Sequence, residues 1–134
     1  MVSALGREPS AAERDLWRQA KAVAERAHAP YSGFRVGAVV RDAGGGGHSG
    51  VNVESASSPA GVCAERVALG AAVTAGQREL TAVAVATADE RDALPCGVCL
   101  QALAEFGDLD VIARIGGEVR VLRLRELLTA PFSR

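Results

Sequence analysis

The sequence predicts an α/β protein with three α-β-α layers built around a five-stranded mixed sheet. Segments of helical periodicity alternate with short runs of Val, Ile and Ala, the pattern of a sheet covered on both faces. Glycine and proline fall where the chain must reverse or stop a helix. Two helices, opening near Cys63 and Cys96, each join a pair of strands, and such crossovers predict parallel pairings in the centre of the sheet.

Residues 1–9 read as a flexible leader ending at Pro9, and residues 10–134 as one domain. Ser10-Ala11-Ala12-Glu13 has the form of a capping box. Leu16, Ala20, Val23 and Ala27 follow at helical spacing, and Pro30 forbids continuation. Val36 to Val40 reads as a buried strand, Ala43 to Gly47 as a hairpin connection, and Gly50 to Glu54 as the returning strand. No Lys-Ser/Thr pair follows the glycine run, so it is no phosphate loop. After the small-residue loop Ser55 to Gly61, a helix carries Cys63, Val67, Ala71 and Ala75 on one face, with Gly76 placed to terminate it. Leu80 to Thr87 is a strand. Pro95 closes a polar loop, and a helix then runs from Cys96 to Gly107. Strands 111–115 and 119–122 flank Gly116-Gly117, and a short helix around 125–128 follows.

The chain has 134 residues, the size of one ordinary domain, with 49% hydrophobic and 23% charged residues. No apolar run is long enough to span a bilayer, and no secretion signal is apparent, so the expected location is the cytoplasm. Net charge is −1 and aromatic content 4%. A nucleic-acid partner calls for a basic excess and stacking platforms, so the expected substrate is a small molecule.

Cys63-Ala64-Glu65 and Pro95-Cys96-Gly97-Val98-Cys99 use all three cysteines of the chain. Three thiolates are one ligand short of a closed tetrahedral zinc site, and an open position is what a catalytic zinc requires. Cys96 and Cys99, spaced i, i+3, can face one Zn²⁺ from a helix start; Cys63 opens the other helix, and both N-termini favour thiolates. Arg66 is placed to compensate the negative charge. Glu65, beside the metal, is the candidate catalytic proton shuttle; it could instead be a fourth ligand or a helix-start carboxylate favoured by the dipole.

The two cysteine motifs have the spacing of zinc deaminases, with Cys in place of the first His. Beyond them, Ala29-Pro30-Tyr31-Ser32-Gly33-Phe34-Arg35-Val36-Gly37-Ala38, Asn52-Val53-Glu54, Glu105-Phe106-Gly107 and the tail Glu126-Leu127-Leu128 to Phe132 resemble the small homotetrameric cytidine deaminases over most of the chain. The resemblance implies a cytidine-deaminase-like fold and hydrolytic deamination of cytidine or deoxycytidine in pyrimidine salvage. It implies that Phe34 packs on the base, that Asn52 and Glu54 bind the ribose hydroxyls, and that Phe132 helps close a neighbouring subunit's site in a homotetramer.

Two positions depart from the family pattern. Leu100 stands where an Arg usually follows the last cysteine, and Ser58 stands where a Tyr usually precedes the first. The altered loop would suit a deaminase of a cytosine-nucleoside antibiotic such as blasticidin S. A non-catalytic domain with a structural zinc, closed by His28 or His48, is the alternative from another class.

Overall fold

A computed structural model describes residues 5–134. In chain order its main elements are α1 (Ala11–Val23), β1 (Val36–Asp42), β2 (Gly47–Val51), α2 (Ala64–Thr74), β3 (Leu80–Thr87), α3 (Gly97–Ala104), β4 (Asp110–Ile115), β5 (Glu118–Arg123) and α4 (Leu124–Leu127). The strands form one sheet in the order β2-β1-β3-β4-β5.

Only one of the central pairings is parallel. β3 and β4 pair in parallel, as a crossover through α3 requires. β1 and β3, expected to be parallel, are antiparallel. The crossover through α2 starts from β2, and β1, its antiparallel hairpin partner, lies between β2 and β3. β2 and β3 therefore run the same way without touching, and β1 opposes both.

The sheet's alternating side chains feed two apolar layers. On one face Leu16 and Ala20 of α1 pack with Val39, Ala84, Ala86 and Ile112. On the other, Ala64, Ala68, Leu100 and Leu103 from α2 and α3 pack with Ala38, Val40, Val83, Val85 and Val111. Gly37 and Gly50 let helix backbone lie directly on the sheet. A Cβ at Gly37 would run into the Ala20 carbonyl, and one at Gly50 into Ala64 O and Ala68 N. Gly50 thus sets how closely the start of α2 approaches β2. No helix of the described residues is long and apolar enough to cross a membrane.

Three local expectations shift. β2 covers Gly47–Val51 rather than 50–54, because the turn closes by Gly46: Asp42 N donates to Gly46 O at 2.9 Å. Asn52 and Glu54 consequently lie just beyond the strand. α3 ends at Ala104, short of Gly107. Residues 5–9 of the expected leader are held against β5: Arg7 exchanges two 2.9 Å backbone bonds with Val121, and Arg120 Nη2 donates to Gly6 O at 2.8 Å. Residues 1–4 lie outside the described residues.

Candidate active site

Cys63 and Cys96 are the N-cap residues of α2 and α3, both with extended backbone. Each helix therefore begins at a thiol, and the free N–H groups of its first turn face that end. The backbone N–H of Leu100 closes the first turn of α3 onto Cys96 O at 2.9 Å, which brings Cys99 round to the same side. The ligand atoms of Cys63, Cys96 and Cys99 all lie within 4.8 Å of one another, a spacing that one tetrahedral Zn²⁺ with thiolate ligands can bridge. Cys99 is fully buried, Cys63 half-buried and Cys96 exposed.

Coordination requires deprotonated thiols. At Cys96 desolvation opposes ionisation, but the N–H and thiol of Cys99, the N–H of Val98 and the Cys63 thiol together outweigh it, and the thiol falls below its ordinary value. Burial, with the Glu65 charge adding to it, pushes the Cys99 thiol up. Arg66 reaches back along α2 so that Nη2 lies 3.9 Å from Cys63 Sγ, while its buried Nε has no partner. A cation so placed is held to the thiols, and they raise its own pKa, Cys99 most. The donor set and its compensating arginine fit Zn²⁺. Neither histidine belongs to this cluster: His48 Nε2 is 2.8 Å from Asp42 Oδ2 at the hairpin, so it is not available as a closing ligand.

Glu65, on the first turn of α2, is only 4% exposed. Desolvation raises its carboxyl pKa, with its own N–H and the Arg66 charge offsetting part of the effect. It lines a cavity of ≈ 190 Å³ together with Cys63, Cys96, Phe34, Asn52, Val85, Ala93 and Leu94. A cavity of about 150 Å³ already admits benzene, so this one accommodates a single six-membered heterocycle with its substituents.

The other predicted residues fall in two places. Phe34 and Asn52 line the cavity. Asn52 and Glu54 line an open groove of ≈ 560 Å³ that meets the cavity at Asn52 and Cys63 and runs along Tyr31, Ser58, Gly61 and Arg66. Asn52 Oδ1 accepts from Val36 N and Nδ2 donates to Phe34 O, both at 2.8 Å. Glu54 Oε1 accepts from Tyr31 N (3.0 Å) and Ser32 N (3.1 Å), and Ser32 Oγ donates to Oε2. These donors, Ser32 first, hold the Glu54 carboxyl below its ordinary range. Phe132 is not in the cavity. It stands 75% exposed on the tail, beside α3.

Sequence reasoning missed the strap that closes the cavity from the β3 side. Thr87, wholly buried, accepts Arg91 N on Oγ1 at 2.7 Å, and the Arg91 guanidinium sits 4.5 Å from the centre of the Phe34 ring. No periodicity or spacing marks such a residue.

Fold and site together define a zinc-dependent hydrolytic enzyme with one small heterocycle pocket. A family model described as the cytidine and deoxycytidylate deaminase zinc-binding region matches residues 10–115, and the chain belongs to that family. The cytidine deaminase of Halalkalibacterium halodurans is 36% identical over 121 residues, which cover 88% of this chain and 92% of that protein. The crystal structure of cytidine deaminase from Burkholderia pseudomallei superposes with a TM-score of 0.81 at 40% identity, covering 89% of this chain and 98% of that one. The blasticidin-S deaminase of Bacillus cereus is 31% identical over 108 residues, 74% of this chain and 77% of that protein.

Proposed function

We propose that this protein hydrolyses cytidine and deoxycytidine to the corresponding uridines and ammonia, serving pyrimidine salvage in the cytoplasm as a homotetramer of single-domain subunits (residues 10–134). The observation that carries the reading is a buried glutamate and two of the three clustered thiols, Cys63 and Cys96, lining a cavity sized for one pyrimidine. At Asn52 and Cys63 that cavity meets the groove lined by Glu54, so two groups able to bond sugar hydroxyls stand at its mouth.

Cys63, Cys96 and Cys99 would hold Zn²⁺, whose Lewis acidity makes water a nucleophile at neutral pH. The Glu65 carboxylate takes a proton from the attacking water and delivers it to N3 of the ring. It then carries the second water proton to the amine at C4, which leaves as ammonia. The desolvation that raises its pKa suits a group that must both accept and donate near neutral pH. Arg66 offsets the charge of three thiolates. Phe34 walls the base, and the remaining Nδ2 hydrogen of Asn52 and lone pairs of Glu54 meet the sugar.

A second reading draws on the groove. Its wall on the 55–61 side is built from the small residues Ser55, Ala56, Ser58 and Gly61, which leaves the sugar end open and favours cytosine nucleosides with an enlarged sugar substituent, blasticidin S included. The test is ammonia release from cytidine, deoxycytidine, cytosine and blasticidin S, with zinc measured on the same samples. Glu65→Gln should keep its zinc and lose about 10²–10⁴-fold in kcat. A zinc-loaded protein that deaminates none of these compounds would overturn the proposal.

A further inference from the structure

We infer that Arg91 is a positioning residue that holds the Phe34 ring as a fixed wall of the pyrimidine pocket, and so sets substrate affinity. This rests on the deaminase reading above and adds a residue that neither touches the metal nor the reacting atoms.

Phe34 is pinned on its sugar side through its backbone. Its N–H donates to Ser32 Oγ at 2.9 Å and its carbonyl accepts from Asn52 Nδ2 at 2.8 Å. Those bonds fix the main chain but not the side-chain torsions, and the half-buried ring packs on one side against the apolar cluster under the sheet. The preceding Gly33, at φ +70°, offers no side chain to brace it, and a Cβ there would meet nothing within 4 Å. Arg91 adds a second hold to that packing. Its guanidinium lies over the ring at 4.5 Å, within cation–π range, and Nη2 donates to Gly33 O at 3.3 Å. One side chain therefore clasps both the ring and the turn that carries it.

Arg91 is itself held. Its backbone N–H donates to the buried Thr87 Oγ1 at 2.7 Å, and Thr87 Oγ1 donates to its carbonyl at 3.3 Å. Asp89 Oδ1 accepts from Nε at 3.0 Å and tethers the guanidinium to the loop. Glu90 between them has φ +60°, the left-handed conformation that reverses the chain and lets residue 91 come back onto Thr87. The same loop brings Ala93 and Leu94 into the cavity wall. The strap thus reaches the pocket from β3, while Asn52 reaches it from beyond β2, and Phe34 is where they meet.

The experiment compares Arg91→Ala, Arg91→Lys, Phe34→Leu and the double variant Arg91→Ala/Phe34→Leu. Arg91→Ala should raise KM for cytidine about three- to ten-fold with kcat within two-fold and melting temperature unchanged. Arg91→Lys, still cationic, should restore at least half of that change. In the Phe34→Leu background, Arg91→Ala should have no further effect. A fall in kcat instead of a rise in KM, or an equal penalty in both backgrounds, would overturn the assignment. Amide exchange of residues 33–36 in the substrate-free protein gives a readout that does not need turnover. It should accelerate in Arg91→Ala and not in Arg91→Lys; unchanged exchange in both refutes the clasp. A wild type inactive on every cytosine nucleoside would remove the deaminase reading, and the exchange result would still decide whether Arg91 holds Phe34.

Discussion

Gln101 devotes its whole carboxamide to the backbone of Phe132: Nε2 donates to the Phe132 carbonyl and Oε1 accepts from the Phe132 N–H, each at 2.9 Å. A residue of α3, two positions beyond Cys99, thereby fixes the tail and presents an aromatic ring that is 75% exposed. Burial of the ring within its own chain does not explain its position; the amide does. Under the proposed tetramer, such a ring is set to cover a neighbour's pocket. Gln101→Leu should free the tail, raise KM for cytidine several-fold and leave zinc content unchanged. Proteolysis at residues 129–134 together with steady-state kinetics checks this, and a variant with a protected tail and normal KM would remove Gln101 from that role.

Loss of any one ligand should be felt by both metal and fold, because coordination energy is folding energy. Cys63→Ala, Cys96→Ala and Cys99→Ala are each expected to lower zinc stoichiometry and melting temperature. Chelation of the wild type should move its melting temperature in the same direction. Metal analysis that finds full occupancy in one variant would exclude that cysteine from the site.

Arg66 is the cation bonded to the thiols, and its removal should cost activity. Arg66→Ala is expected to lower kcat/KM at least ten-fold, with zinc retained at saturating metal. An unchanged kcat/KM would show that the thiolate charge needs no compensation. Leu100, next to Cys99 in the chain, is 5% exposed within the apolar cluster under the sheet, so Leu100→Arg should lower the melting temperature by burying a cation among aliphatic groups.

Features that depend on neighbours in the chain could be read directly from the residues. The Ser10–Glu13 capping box forms as written, and the spacing of Cys96 and Cys99 carries its chemistry in the sequence. Strand partners could not be read so, since α2 connects β2 to a strand that β1 separates from it. The limits of β2 were misplaced because Gly47-His48-Ser49 carry little strand propensity; they are strand because they pair with Val39 to Arg41. Arg91 and Gln101 were invisible for a related reason. Their partners Gly33 and Phe132 lie 58 and 31 residues away, and the contacts are to backbone groups whose position no residue type announces.

The start of α1 carries a pH-dependent part of the stability. Glu13, 5% exposed, receives both Arg7 guanidinium nitrogens at 2.8 Å and the Ser10 N–H at 2.8 Å. Arg7 first, then the Ser10 groups, lower its carboxyl from the ordinary 4.5 to about 2 against the cost of burial. Between those values the unfolded chain holds a proton that the folded one lacks, so stability rises with pH through this window. With Arg7 half exposed and screened, the contribution is about 2 kcal/mol, complete above the unfolded value and lost as pH falls through about 2. Glu13→Gln keeps an acceptor for Ser10 N and removes only the charge. Urea denaturation should find it weaker than wild type at pH 7, with the two converging near pH 2. A gap that stays constant with pH would assign the effect to packing.

Ser58 stands on an exposed 3₁₀ turn, Ser58–Ala60, and lines the groove with Tyr31, Asn52, Glu54, Cys63 and Arg66. No hydrogen bond of the Ser58 side chain closes that wall among the described residues, and Pro59 and Ala60 beside it add no reach. A phenol at position 58 would project into the groove near the groups proposed to hold the sugar. A bond of that kind contributes on the order of 1 kcal/mol, about five-fold in binding. Ser58→Tyr should therefore lower KM for cytidine while leaving kcat unchanged, because the Glu65 end of the cavity is untouched. By narrowing the groove, it should also reduce kcat/KM for nucleosides with enlarged sugar substituents. Measuring kcat/KM for cytidine, deoxycytidine and blasticidin S in wild type and Ser58→Tyr separates these effects. If the substitution changes none of the three values, the 55–61 loop does not border the bound sugar.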